Sequence, residues 1–200
     1  SNGICSLNAG EDRYAMTCMM EIDTNGKVVN YRIQPSIIHV NRRCSYKEIY
    51  KALTEDIIPD DLAPLMPMIH NLSDIAKTLN DMRRRRGALD FDFPEYKVLL
   101  DTEGTPLRIV RRDRTLAERL IEECMLIANE TVATHLKNTN RTSVYRIHET
   151  PSEEKMSMYQ KVLNYLGQDI RLHLDELEPR VFQHILDAVK GTDIEQVAQI

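Results

Sequence analysis

The sequence predicts an α+β fold in which antiparallel or mixed sheet pieces are flanked by helices. Apolar residues alternate with a period of two near the start of the chain and recur every three to four residues later. The two kinds of segment do not alternate as βαβ units would, which favours α+β. With 42% hydrophobic and 28% charged residues among 200, the composition is that of a globular protein with a sizeable core.

The first predicted element is a β-hairpin. Alternating apolar residues at 14–22 form one strand, and residues 23–26 supply the Asp, Asn and Gly that favour a turn. A second strand follows at 29–34. We expect Pro35 to interrupt this strand before the apolar pattern resumes at 37–40.

Two helices are predicted next. Ser45 and Glu48 form a capping-box pattern at the start of the first helix. The second carries apolar residues at helical spacing over 68–82, continues into four arginines at 83–86 and ends at Gly87. The arginines suit either a helix C-terminus, whose dipole favours cations, or contact with phosphates.

The later part of the chain alternates short strands and helices. Short strands are predicted at 97–100 and 107–110, and the clearest helix begins near Thr115 and reaches Leu136. Residues 144–147 form a candidate strand.

Three helices are predicted to complete the chain. The first opens at 151–154, directs Met158, Val162 and Leu166 inward and ends at Gly167. Two short helices follow, near 179–190 and near 194–200.

Charge and cysteine usage narrow the class of protein. With a net charge of −5, the chain lacks the overall positive charge that is typical of a small nucleic-acid-binding domain, although a local basic groove is still compatible with this charge. No apolar run reaches the ~18 residues of a membrane helix, and no secretory leader opens the sequence. The four cysteines lack metal-site spacing, so we expect reduced, mostly buried thiols. These patterns favour a cytoplasmic protein without a membrane partner.

One face of the clearest helix is a candidate site. Glu118, Glu122 and Asn129 share this face. They form either a solvent-exposed stripe, with Arg119 pairing to Glu122 or Glu123, or an acidic surface for a metal or sugar hydroxyls.

Two further clusters carry polar or aromatic groups. Phe91 lies between Asp90 and Asp92 and is either a core residue or an exposed platform for a nucleobase. Arg146 and His148 lie in a polar cluster at the end of the candidate strand 144–147. The nucleotide-binding, metalloprotease and serine-hydrolase motifs are absent.

Ordered blocks of the sequence resemble the catalytic RNB domain of the ribonuclease II/ribonuclease R family. The blocks are Ser1–Asn8 with Asp12-Arg13, Met20–Ile22 with Asn25-Gly26, Gly87–Phe91, Leu120–Met125 with Ala128–Glu130, and Tyr145–Glu149 with Pro151. They occur in the family's order and cover nearly the whole chain. The start and the Ile121–Met125 block are more similar to bacterial ribonuclease R than to ribonuclease II.

The resemblance implies processive 3′-to-5′ hydrolysis of single-stranded RNA to nucleoside 5′-monophosphates. Family members use Mg²⁺ held by aspartates, which suits two metal ions stabilising the attacking and leaving oxygens. The RNA strand enters a narrow channel and its bases stack on aromatic side chains.

The resemblance also implies roles for particular residues. Phe91 falls where the family stacks a phenylalanine on RNA, and Glu122 where a glutamate contacts the last nucleotides; the latter match could instead fall on Glu123. Three further candidates for RNA contact belong to the matched blocks: Asn129, Arg146 and His148.

The family's aspartate cluster and catalytic arginine motif do not occur in this sequence. We therefore expect residues 1–200 to be a central segment of an RNB catalytic domain, with the Mg²⁺ ligands outside it. The chain alone is expected to be inactive, to bind RNA weakly and to form a non-native oligomer. The alternative is a non-catalytic RNA-binding or protein-interaction module that uses part of the same fold.

Overall fold

The computed structural model describes residues 3–89, 95–112, 114–147, 149–168 and 179–192. Its helices and strands confirm the α+β class. The strands are β1 Asp12–Ile22, β2 Val28–His39, β3 Glu95–Leu100 and β4 Pro106–Arg112. The helices are α1 Tyr46–Thr54, α2 Met66–Arg85, α3 Leu116–Asn138, α4 Glu153–Tyr165 and α5 Pro179–Val189, with a 3₁₀ turn at Ala63–Leu65.

The chain divides into two compact units. One comprises Ser1–Met82 with Pro94–Ser143, and the other Arg83–Phe93 with Val144–Ile200. The first unit contains both hairpins, α1, most of α2 and α3, while the second contains α4 and α5.

The long hairpin confirms the predicted turn but corrects the predicted interruption. Strands β1 and β2 pair antiparallel over their whole length, and Pro35 lies within β2 opposite Met16. Each strand of a two-stranded sheet is an edge, so the missing N–H of Pro35 is tolerated there. Gly26 closes the turn with φ of 85°, a conformation that favours glycine.

The hairpin is packed along only part of its length. Near the turn, Tyr31 contacts His135 of α3 ring edge to face, and the Thr131 hydroxyl of α3 approaches the sulfur of Met20. Farther out, Tyr14 and Met16 lie on the same face as Met20 but are exposed. The alternating pattern therefore identified the packed face only near the turn, because farther out Ala15 and Thr17 on the opposite face are the partly buried residues.

The core of the first unit lies beside α1 and the start of α2. Its buried members are Ala52, Leu62, Met66 and Ile69. The predicted capping box is present, since Ser45 accepts from the Glu48 amide and the Glu48 side chain accepts from the Ser45 amide. Arg42 joins this helix start to the next loop by ion pairs with Glu48 and Asp61.

The second hairpin is far more exposed. The two predicted strands are present as β3 and β4, and they pair antiparallel around a turn in which the Asp101 carboxylate accepts from the amides of Glu103 and Thr105. One face carries exposed apolar side chains; we call it the β3–β4 apolar face, formed by Tyr96, Val98, Leu100, Leu107 and Ile109.

The second unit corrects two predictions. Residues 144–147 are irregular rather than a strand. Val162 of α4 and its C-cap residue Leu166 are partly buried, but Met158 is exposed. The buried residues of α4 are Met156 and Leu163, and with Tyr159 they form a stripe that is offset from the predicted one. The Tyr159 ring contacts Phe182 of α5 at a centroid distance of 6.3 Å, and burial raises the pKa of the Tyr159 hydroxyl. The predicted helix at 194–200 lies outside the described residues.

The cysteines differ from expectation. All four are free thiols, but Cys5 and Cys44 are exposed and only Cys18 and Cys124 are partly buried. Within the described residues, no helix has both the length and the apolar character required to cross a bilayer.

Candidate functional site

The N-terminus of α3 is fixed by its own side chains. Thr115 is the N-cap and accepts from the amide of Ala117, while Glu118 accepts from the amide and hydroxyl of Thr115. Burial raises the pKa of the Glu118 carboxyl, but the hydrogen bonds from Thr115 outweigh this effect and the pKa is lowered overall. Glu118 therefore serves the helix cap.

The adjacent glutamates at 122 and 123 have different surroundings. Glu123 is only 4% exposed and accepts a 2.9 Å hydrogen bond from the side-chain amide of Asn80 on α2. Glu122 is partly exposed, with 41% of its side chain accessible. Burial raises the pKa of the neighbouring Cys124 thiol, and the charge of Glu123 adds to the effect. The polar group available to a ligand at this point of α3 is thus Glu122.

An exposed strip runs along α3 from Glu122. Met125 is 59% exposed and follows Glu122 by three residues, and Asn129 is exposed one turn further on. Ile121 lies at the edge of the same surface. We call Ile121, Glu122, Met125 and Asn129 the α3 strip. It combines an acceptor, an amide and two apolar side chains, which suits a ligand with both polar groups and flat apolar faces.

Glu122 forms an ion pair, but not with Arg119, the partner that helical spacing suggested. Its partner is Arg114, which precedes the helix. The Nε of Arg114 donates to Oε2 of Glu122 at 3.1 Å, and Nη2 donates to the same oxygen. Spacing rules within a helix could not identify this pair because Arg114 lies outside α3.

The roles expected of the remaining candidates stay predictions. Phe91 and His148 lie outside the described residues, so their predicted contacts stay predictions. Arg146 is exposed in the irregular segment of the second unit. Within the described ranges, no three His, Cys, Asp or Glu side chains lie close enough together to hold a metal ion.

Solved structures of an RNase R have the same architecture. Mycoplasma genitalium RNase R in complex with ribose-methylated single-stranded RNA matches with a TM-score of 0.93 and 25% identity, over 100% of this chain and 32% of that chain. The same enzyme in complex with double-stranded RNA matches with a TM-score of 0.93 over 100% of this chain and 36% of that chain. The fold is therefore that of a region within RNase R proteins.

Sequence comparison agrees with the structural match. The RNB domain family model matches residues 1–200, and the chain belongs to this family. Ribonuclease R from Thermotoga maritima is 39% identical over 95% of this chain and 27% of its own length. Ribonuclease R 1 from Lactococcus lactis is 36% identical over 98% of this chain and 24% of its own length. The chain spans about a quarter of the length of these relatives.

Proposed function

We propose that this chain is the central part of the catalytic domain of an exoribonuclease that hydrolyses single-stranded RNA from the 3′ end to nucleoside 5′-monophosphates. The single observation that carries this proposal is the match, over the entire chain, to an RNase R whose structure contains single-stranded RNA. Membership of the RNB family and the ribonuclease R relatives support the same activity.

Within this activity, the α3 strip contacts the last nucleotides of the strand. The Glu122 carboxylate accepts hydrogen bonds from RNA hydroxyl or amino groups, and the Asn129 amide can donate or accept. Met125 offers an apolar, polarizable surface to a nucleobase. Phe91, Arg146 and His148 are proposed as further RNA contacts on the family resemblance alone.

The Mg²⁺ implied by the resemblance does not fit the described residues, which lack a set of three ligating side chains. The role proposed for these residues is therefore binding of the strand. Hydrolysis is assigned to a longer protein of the family in which other residues hold the metal, and cytoplasmic location is part of the same proposal.

Photo-crosslinking tests the RNA contact directly. Single-stranded RNA with 4-thiouridine as its 3′-terminal nucleotide is irradiated with the purified chain, and the adducts are mapped by mass spectrometry. Adducts within residues 121–129 are expected, and they should diminish when unlabelled single-stranded RNA competes. Adducts confined to other segments, or none above an unrelated acidic protein, would contradict the proposal.

The alternative of a protein-interaction module has its own supporting observation. The β3–β4 apolar face is exposed, and clusters of exposed apolar side chains are typical of protein contacts. This surface is compatible with the RNA proposal because it belongs to a different element from the α3 strip.

A further inference from the structure

The contact between Arg114 and Glu122 has an asymmetric geometry. Both Nε and Nη2 of Arg114 donate to the same carboxylate oxygen, Oε2 of Glu122. No hydrogen bond joins Oε1 of Glu122 to any other residue in the described part of the chain. The arginine thus occupies one oxygen of the carboxylate and leaves the other free for a ligand.

The base of the arginine side chain is held in place. Arg114 immediately precedes Thr115, whose backbone and hydroxyl are fixed by the capping box with Glu118. The guanidinium is partly buried, with 30% of the Arg114 side chain exposed. A planar guanidinium presents its N–H groups in a fixed arrangement, so two converging donors restrict the rotation of the carboxylate.

We propose that Arg114 is a positioning residue for Glu122, holding Oε2 so that Oε1 is presented to a hydrogen-bond donor of the RNA. The inference rests on the proposed contact of Glu122 with RNA. A carboxylate that is already oriented in the free chain binds more tightly, because it loses less conformational entropy when RNA binds. Arg114 then acts through Glu122 and makes no contact with the phosphates.

The test measures binding of fluorescently labelled oligouridylate to the 200-residue chain by anisotropy. The variants are Arg114→Gln, Arg114→Lys, Glu122→Gln and the double variant Arg114→Gln/Glu122→Gln. Arg119 is an exposed arginine of α3, and Arg119→Gln is the control for loss of one positive charge. Circular dichroism and urea unfolding establish that each variant is folded.

Arg114→Gln and Glu122→Gln are each expected to weaken binding by about threefold to tenfold, which corresponds to the net contribution of one typical hydrogen bond. The double variant should bind no more weakly than Glu122→Gln. Arg114→Lys should recover part of the loss because it restores the charge without the paired donors. Arg119→Gln should change binding by less than about twofold, since an exposed charge contributes little.

A second measurement tests the positioning without RNA. The ¹⁵N-edited NMR signal of the Arg114 Nε–H should be protected from solvent exchange in the free chain and lose this protection in Glu122→Ala, which removes the acceptor. An unchanged signal would show that the ion pair does not form and would overturn the inference.

The outcomes separate this inference from the proposed function. If Glu122→Gln weakens binding and Arg114→Gln does not, Arg114 has no positioning role while the RNA contact stands. If Arg114→Gln weakens binding further in the Glu122→Gln background, the arginine contacts RNA itself and the inference is wrong. If the chain binds no RNA, or Glu122→Gln binds normally, the proposed contact fails and the inference falls with it.

Discussion

The side-chain amide of Asn80 on α2 donates a 2.9 Å hydrogen bond to Oε1 of Glu123 on α3. This bond crosses between the two longest helices and involves a carboxylate that is almost entirely buried. It explains why two adjacent glutamates serve different purposes. Glu123 joins helices, so Glu122 is the residue of the pair that can face a ligand.

Asn80→Ala is expected to destabilise the chain by about 1–3 kcal/mol, because it removes a hydrogen-bond donor from a buried carboxylate. Urea unfolding followed by circular dichroism measures this loss. Asn71→Ala is the matched control, since Asn71 is an exposed asparagine of the same helix. Equal stability of the two variants would show that the Asn80–Glu123 bond contributes nothing.

Patterns within one element predicted the fold well, whereas contacts between elements escaped prediction. Turn residues, caps and periodicity identified the first hairpin, the two strands of the second and helices α1 to α5 because these signals are local. The exposure of Tyr14 and Met16 depends on where α3 ends against the hairpin, which the strand's own pattern does not encode. The Arg114–Glu122 pair depends on the direction of a side chain that precedes the helix.

The offset stripe of α4 has a similar cause. Met156 and Met158 are equally apolar, and only packing in the second unit decides which is buried. The candidate strand at 144–147 has residue types typical of a strand, but it pairs with none of the described strands and is irregular.

The stability of the chain should fall when any side chain is introduced at Gly26, in the turn of the long hairpin. A Cβ at Gly26 would lie 2.9 Å from Cβ of Met82 and 3.1 Å from the Thr78 carbonyl oxygen. Gly104 has a similar φ of +87°, but a Cβ there would meet nothing within 4 Å. Gly104→Ala is expected to cost about 1 kcal/mol from backbone strain alone. Gly26→Ala should cost more, and similar thermal midpoints for the two variants would refute the close contact.

Low pH should destabilise the folded chain because it breaks the ion pairs of Arg42. Its guanidinium donates to both oxygens of Glu48 at 2.7 and 2.9 Å and to Asp61 at 2.7 Å. The hydrogen bonds from Arg42 lower the pKa of Glu48 below its ordinary value of 4.5 and that of Asp61 below 3.8. A carboxyl whose pKa is lowered by folding stabilises the folded state above its unfolded pKa, and this contribution disappears as the pH falls.

Urea midpoints of the wild type and Arg42→Met should therefore differ at neutral pH, and the difference should shrink as the pH falls below the ordinary pKa values of 4.5 for Glu48 and 3.8 for Asp61. Arg119→Met controls for the loss of an exposed arginine. A difference between wild type and Arg42→Met that stays constant from neutral to acidic pH would contradict this account.

The β3–β4 apolar face should cause self-association of the isolated chain. Ile109 and Leu107 are both exposed on a two-stranded hairpin whose outer edges are unpaired within the described residues. Light scattering is expected to show a mass that rises with concentration. Ile109→Lys should reduce this rise, whereas Thr102→Lys in the hairpin turn adds the same charge without removing apolar surface. A monomer at all concentrations would refute the expectation.

Two exposed methionines allow a comparison of the α3 strip with another surface. Met125 lies beside Glu122 on α3 and is 59% exposed, while Met158 on α4 is 69% exposed. If a nucleobase packs on the strip, Met125→Ser should weaken binding of single-stranded RNA by about threefold, which corresponds to part of one stacking contact. Met158→Ser removes a similar exposed side chain and should bind as the wild type does. Equal losses in the two variants would indicate general surface adhesion, and a loss confined to Met158→Ser would move the RNA contact to the second unit.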